Sequence, residues 1–260
     1  MKTEFENRGG LFDRKGSAPL LLAHRGYTTD APENTLVSFL HAAERHFWAI
    51  ETDVHLTLDG ILVCCHNSSL KKMYGSDMKI EEHTLKELYA ERVTAGNCVG
   101  SYTAGELRLP LFDEYLDICK KSGCVPFIET KKNVVEETLF AVKRFDLIDR
   151  AVLSSVDFSH IETARALNKD IFVHHIFSTE ELMERISELG YGGLSYNYPD
   201  LDTLPEGLIE RTHKAGVRLC LRAGDTREIA DRMIGLGLDY IPTNRMTPAD
   251  FGQGAEACRA

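Results

Sequence analysis

Residues 20–70 read LLLAHRGYTTDAPENTLVSFLHAAERHFWAIETDVHLTLDGILVCCHNSSL. Three short apolar runs here end in, or carry, polar groups: Leu20–Ala23 before His24-Arg25, residues 49–56 carrying Glu51 and Asp53, and residues 61–65 before His66. Continuous apolar runs of this length predict strands buried on both faces, and polar residues at their ends predict the rim of a parallel sheet or barrel. Leu36, Val37, Phe39, Leu40, Ala43 and Phe47 recur at helical spacing, with Asn34 placed to cap that helix. Asp59-Gly60 predicts a tight hairpin turn into the third run.

Outward from this stretch, residues 1–17 are polar and predict a short arm. Residues 67–110 break the rhythm with four glycines and one helix expected near 81–91, an insertion over a barrel mouth. Strand and helix patterns then alternate. Strands are expected at 125–129, 151–155, 171–176, 193–196, 217–221 and 240–242, and helices at 113–121, 134–145, 160–167, 179–189, 206–215 and 226–236. Gly190 and Gly216 stand where helices end. With the runs at 20 and 49, eight βα units result. That count predicts an α/β chain closed into a (β/α)8 TIM barrel, in one domain over 1–260, and not a doubly wound sheet.

The chain has 260 residues, an ordinary apolar fraction of 43% and a formal charge of −10. The acidic balance argues against nucleic acid or an anionic membrane as partner, while leaving room for a small phosphorylated ligand in a local cationic pocket. The first residues lack the apolar core of a signal peptide, and no run is long enough to span a bilayer, so a cytoplasmic place with no stable membrane anchor is expected. Seven scattered cysteines, without a CxxC, predict reduced buried thiols rather than disulfides or a zinc–thiolate site.

Glu51 and Asp53 share one strand face, and Glu129 ends the next barrel strand. Three oxygen donors on an apolar wall suit a hard divalent cation, Mg2+ or Ca2+; the alternative is a solvated strand end carrying surface charges. His55 shares the face as a further ligand or as packing. His24 and His66 end their runs. Two histidines either side of a phosphate can divide proton removal from proton donation, and each alone reads equally as a rim residue. Arg25 and Lys131 supply cationic groups for phosphate, or surface ion pairs. His174-His175 lies on a predicted strand, lining the pocket or packed in the core.

In order along the chain these residues resemble the glycerophosphodiester phosphodiesterase family. The matching motifs are His24-Arg25-Gly26, Pro32-Glu33-Asn34-Thr35, Ser38-Phe39, Glu51-Thr52-Asp53-Val54, Thr57-Leu58-Asp59-Gly60, His66-Asn67 and Glu129-Thr130-Lys131. The resemblance implies a (β/α)8 barrel with a small insertion after the second strand unit, over about 67–118. It implies a cation on Glu51, Asp53 and Glu129, catalysis by His24 and His66 (His66 as the base), phosphate contacts from Arg25 and Lys131, and support from Asn34 and Asn67. The implied reaction is hydrolysis of a small glycerophosphodiester to glycerol 3-phosphate and an alcohol, in lipid and glycerol metabolism. A lysophospholipase D-like enzyme and a catalytically inactive phosphodiester-binding barrel are the alternatives. An apolar groove built from Met73, Tyr74, Leu85, Leu88 and Tyr89 would favour the first. Three departures stand out: Asn67 replaces the family Asp, Leu221 and Arg222 replace a Trp-Thr pair, and Thr243-Asn244-Arg245-Met246 replaces T-D-x-P. They point to an altered alcohol pocket shaped by Leu221 and Arg222.

Overall fold

In a computed structural model that describes residues 7–13 and 19–252, eight parallel strands form one nearly closed ring with helices between them. The strands are β1 (Leu21–Ala23), β2 (Ala49–Leu56), β4 (Val125–Thr130), β5 (Val152–Ser155), β6 (Phe172–His175), β7 (Gly192–Ser195), β8 (Arg218–Cys220) and β9 (Ile241–Thr243). A short β3 (Leu62–Cys64) turns back antiparallel on β2. The hydrogen-bonded path runs β8-β7-β6-β5-β4-β2-β1-β9. Its ends meet through Asp239 N–H to Leu219 O (3.0 Å) and Gly224 N–H to Pro242 O (2.8 Å). This is the (β/α)8 barrel expected from the strand count.

Strand parity divides the core into two layers. Outward residues such as Leu21, Ile50, Ile128, Leu153, Val173, Leu219 and Ile241 lie under the helices. Inward residues Leu22, Ala49, Val125, Phe127, Val152, Phe172, Cys220 and Tyr240 fill the barrel. The helices are α1 (Leu36–Glu44), α2 (Lys71–Tyr74), α3 (Leu85–Leu88), α4 (Phe112–Ser122), α5 (Val135–Arg144), α6 (Phe158–Leu167), α7 (Glu180–Leu189), α8 (Leu208–Lys214) and α9 (Arg227–Gly235). No helix among the described residues is long and apolar enough to cross a membrane.

Three expectations are corrected. Of the polar arm expected over 1–17, residues 7–13 are described, and they are no free arm. Leu11 and Phe12 are buried in the inward cluster at the N-terminal ends of the strands, and Trp48 Nε1–H donates to Leu11 O (2.8 Å). The helix expected near 81–91 is two shorter pieces, a 3-10 turn Ile80–Glu82 and α3, because a Thr84–Glu87 capping box starts a new helix there. Helix α1 is capped by Thr35, whose side chain accepts from Ser38 N–H, and not by Asn34. Asn34 has a left-handed backbone (φ 51°) and turns its amide into the barrel instead.

The segment after β3 packs round a core of its own, including Val63, Leu70, Tyr74, Ile80, Leu88 and Leu109. The five residues considered for an apolar groove, Met73, Tyr74, Leu85, Leu88 and Tyr89, are part of this core or packed on it.

Candidate active site

The first turn out of the barrel sets the site. After β1, Arg25 and Gly26 both take positive φ (59° and 83°), so the chain doubles back over the end of β2. A Cβ on Gly26 would lie 2.4 Å from Ser38 Oγ and 2.7 Å from its carbonyl carbon, so only glycine fits against α1. Ser38 Oγ–H lies within reach of Arg25 O (3.1 Å) and Thr35 O (2.9 Å), which ties the turn to the helix. The turned backbone delivers Arg25 N–H to Glu51 Oε2 at 2.7 Å. Asn34 Nδ2 donates to Asp53 Oδ2 (2.8 Å), while Thr52 Oγ1–H holds Asn34 Oδ1 (2.8 Å). Two carboxylates are thus oriented from the loop that precedes α1.

The β2–β4 register pairs Asp53 with Glu129. Oxygens of Glu51, Asp53 and Glu129 lie within 4.8 Å of one another. Burial, then Asp53 and Glu129, push Glu51 well above its ordinary carboxyl pKa, and burial with Asp53 also raises Glu129. Burial pushes Asp53 up as well, but Lys131 and Arg25 outweigh it and hold this carboxyl below its ordinary value. Lys131 Nζ bridges Asp53 Oδ1 (2.8 Å) and Glu129 Oε1 (2.5 Å). Arg25 Nη1–H donates to Glu33 Oε1 (2.9 Å), and its Nε stands 3.7 Å from Asp53 Oδ2. Asp53 Oδ1 meets Lys131 as an ion pair without hydrogen-bond geometry, and both it and Arg25 Nε are buried without a hydrogen-bond partner. Three clustered carboxylates, two of them pushed up, form a donor set that a hard divalent cation fits.

His24 and His66 bring two imidazoles to this end of the barrel. His24 Nδ1 lies 2.8 Å from Asn244 Oδ1, in the loop after β9. His66 Nδ1 lies 3.0 Å from Asn67 Oδ1. Burial lowers both pKa values; Arg25 adds to the lowering at His24, and the Asp53 charge opposes it at His66.

Other candidates fall elsewhere. His55 Nδ1 pairs with Glu81 Oε1 (2.8 Å) and lies outside the carboxylate group. His174 is buried in the barrel, 2.6 Å from Tyr240 Oη, and His175 Nε2–H donates to Val156 O (3.2 Å). The pocket role expected for Leu221 is corrected: it faces outward into the core under the helices, by the same parity as Leu219, while Arg222 is exposed. The open groove beside the site has a volume of about 760 Å³, and neither residue lines it. Its walls include Thr28, Glu33, Lys72, Asn97, Asp225 and Arg245. Sequence reasoning passed over Glu33 as a partner of Arg25, and Asp225 altogether. Asp225 stands next to Thr226, whose side chain takes the cap of α9 by accepting from Ile229 N–H. An acid beside an occupied cap is the one local sign that it has another task.

Comparison with known proteins agrees with this fold. The model of the Glycerophosphoryl diester phosphodiesterase family matches residues 24–247. A glycerophosphodiester phosphodiesterase of Caldanaerobacter subterraneus subsp. tengcongensis is 28% identical over 231 residues, which cover 86% of this chain and 93% of that protein. An Oleispira antarctica phosphodiesterase, solved in complex with the product sn-glycerol-3-phosphate, has a TM-score of 0.75 at 24% identity, covering 87% of this chain and 93% of its own. A glycerophosphodiester phosphodiesterase from Agrobacterium tumefaciens has a TM-score of 0.75 at 20% identity, covering 90% of this chain and all of its own. At these identities the two structures speak to the fold.

Proposed function

Because the chain belongs to the glycerophosphoryl diester phosphodiesterase family, we propose that it hydrolyses glycerophosphodiesters to glycerol 3-phosphate and an alcohol, with a divalent cation on Glu51, Asp53 and Glu129. The observation that carries this reading is the convergence of those three carboxylates within 4.8 Å, at the strand ends that also carry His24. A cation bound there would orient the diester and offset charge on the phosphoryl oxygens. The three acids would then no longer need Arg25 and Lys131 as their only counter-charges, leaving both cations to hold phosphate oxygens. Arg25 binds two oxygens in its planar fork and Lys131 one as a point charge. Asn34 keeps Asp53 in orientation, and Asn67 does the same for His66.

One histidine takes the proton of the attacking hydroxyl as the new O–P bond forms. The other gives its proton to the alkoxide as the old P–O bond breaks, so the pair ends with its proton exchanged. The attacking hydroxyl is that of water, which gives glycerol 3-phosphate directly, or of the substrate's own glycerol, which gives a cyclic phosphate that water then opens, the two histidines exchanging roles in that second step. The groove beside Asn244 is where we seat the leaving alcohol, and Arg245 and Lys72 are the side chains that would select it. We read the chain as one domain with the 67–118 segment as an insertion, supported by the β2–β3 pairing that ties the two together. Buried free thiols at Cys64, Cys65, Cys119 and Cys220 support a reducing, cytoplasmic setting.

The test is release of glycerol 3-phosphate by protein stripped with EDTA and then given Mg2+ or Ca2+. The substrates are glycerophosphocholine, glycerophosphoethanolamine and glycerophosphoglycerol. Cation-dependent release is expected. Turnover that is indifferent to EDTA would remove the metal from the mechanism. No release with any cation on these or on lysophospholipids would favour the inactive barrel.

A further inference from the structure

Each histidine leans on an amide, yet the two amides are held differently. Among the described residues, Asn67 Nδ2 has no hydrogen-bond partner. Asn244 is fixed on every side. Its Nδ2 donates to Asp225 Oδ2 (2.9 Å), its backbone N–H donates to Asp225 Oδ1 (2.6 Å), and its carbonyl accepts from Thr29 Oγ1 (3.1 Å) and Thr28 Oγ1 (3.3 Å). Thr243 Oγ1–H adds a bond to Asp225 Oδ1 (3.2 Å), and His24 N–H returns to Thr243 O (3.1 Å).

A carboxylate only accepts, so Asp225 forces the NH2 of Asn244 towards itself and the amide oxygen towards His24. An amide oxygen also only accepts, so His24 Nδ1 must carry the proton. Nε2, which has no partner among the described residues, is then the ring atom left to exchange one. We propose that Asp225 is a positioning residue for His24: through Asn244 it selects the Nδ1–H tautomer and aims Nε2 as the proton-exchanging atom. The proposal rests on His24 as a proton-transfer group, as set out above. It adds that the negative charge serving this histidine stands one residue removed, with Asn244 as a dipolar spacer.

The test compares wild type, Asp225→Asn and the double variant Asp225→Asn/Asn244→Asp, all as full chains. The first readout is the tautomer of His24 from its imidazole nitrogen resonances at a pH where it is neutral. The second is the pH profile of kcat/KM with kcat and KM separated. The wild type is expected as the Nδ1–H form. Asp225→Asn lets the amide flip and should give mixed tautomers, with kcat lower by about tenfold or more and KM within about twofold. The double variant puts the carboxylate directly on Nδ1, so it should restore the single tautomer and raise the His24 limb of the profile by about 1 unit or more. The other charges facing His24, namely Arg25, Asp53 and Glu33, are common to all three proteins.

An unchanged tautomer in Asp225→Asn overturns the proposal, as does lost activity with the tautomer intact, which would make Asp225 a loop support only. Should Asp225→Asn not fold, the double variant alone decides: a limb that fails to move overturns the relay. Failure of the wild type to cleave any diester sinks the proposed reaction, whereas the resonances still report whether the relay exists.

Discussion

Gly26, Asn34 and Asn244 show how single residues at this barrel's mouth are set by what they touch. Gly26 has no room for a Cβ, Asn34 gives up a helix cap to hold Asp53, and Asn244 ties His24 to Asp225. Two predictions belong at this scale. His24→Ala and His66→Ala should each lower kcat by about 10²–10⁴-fold while leaving the melting temperature near that of wild type. A near wild-type rate in either one would end the two-histidine mechanism. The pH profile follows from burial. Burial holds both imidazoles below the ordinary value of about 6.5. Catalysis needs one neutral and one protonated. As pH falls, the base is lost through its own lowered pKa; as pH rises, the acid is lost through the other. Both limbs of kcat/KM should therefore lie below about pH 6.5. A bell centred above neutrality would show that other groups carry the protons.

Among the elements, the segment before β1 departs most from its sequence. Polar residues surround Leu11 and Phe12, and no periodicity marks the pair, so the stretch reads as a solvated arm. In the fold Phe12 closes the barrel floor. It packs edge-on to Phe172 (4.9 Å between ring centres) and lies against Trp48 and Tyr240. Phe12→Ala would leave a cavity at the end of the barrel opposite the carboxylates. It should cost about 3 kcal/mol of unfolding free energy in denaturant titration, with kcat/KM within about twofold of wild type. A loss under about 1 kcal/mol would mean that this segment is not seated in solution as described. The strands show the opposite case. Their near-continuous apolar runs, buried on both faces, made all eight legible to within one residue of each end, and β2 and β4 delivered the two halves of the carboxylate group by parity alone.

For the whole molecule, the barrel interior couples stability to pH. Burial, with a smaller push from His175, takes His174 down to a pKa of about 3. Tyr240, held neutral by burial, donates to its Nδ1. An unfolded histidine titrates near 6.5, so this group's contribution is whole above that pH and is lost as pH falls from about 6.5 towards 3, by up to about 1.4 kcal/mol per unit. Unfolding free energies measured between pH 7 and 4 should fall more steeply for wild type than for His174→Gln. Parallel curves would show that His174 is not buried neutral.

What the sequence determined by itself were the features written in short-range order. The alternation of strand and helix gave the count of eight, and the i, i+2 parity of Glu51 and Asp53 put both on one face. Tertiary structure alone decided which partner each polar group receives. Asn244 reaches His24 across 220 positions, Asp225 reaches Asn244 from the loop before α9, and Phe12 meets Phe172 through the barrel axis. Ring closure also turned Leu221 away from the mouth, because a residue sharing Leu219's parity must face the helices. Such contacts depend on how eight strands tilt and close round a common core, and no spacing within one element carries that information.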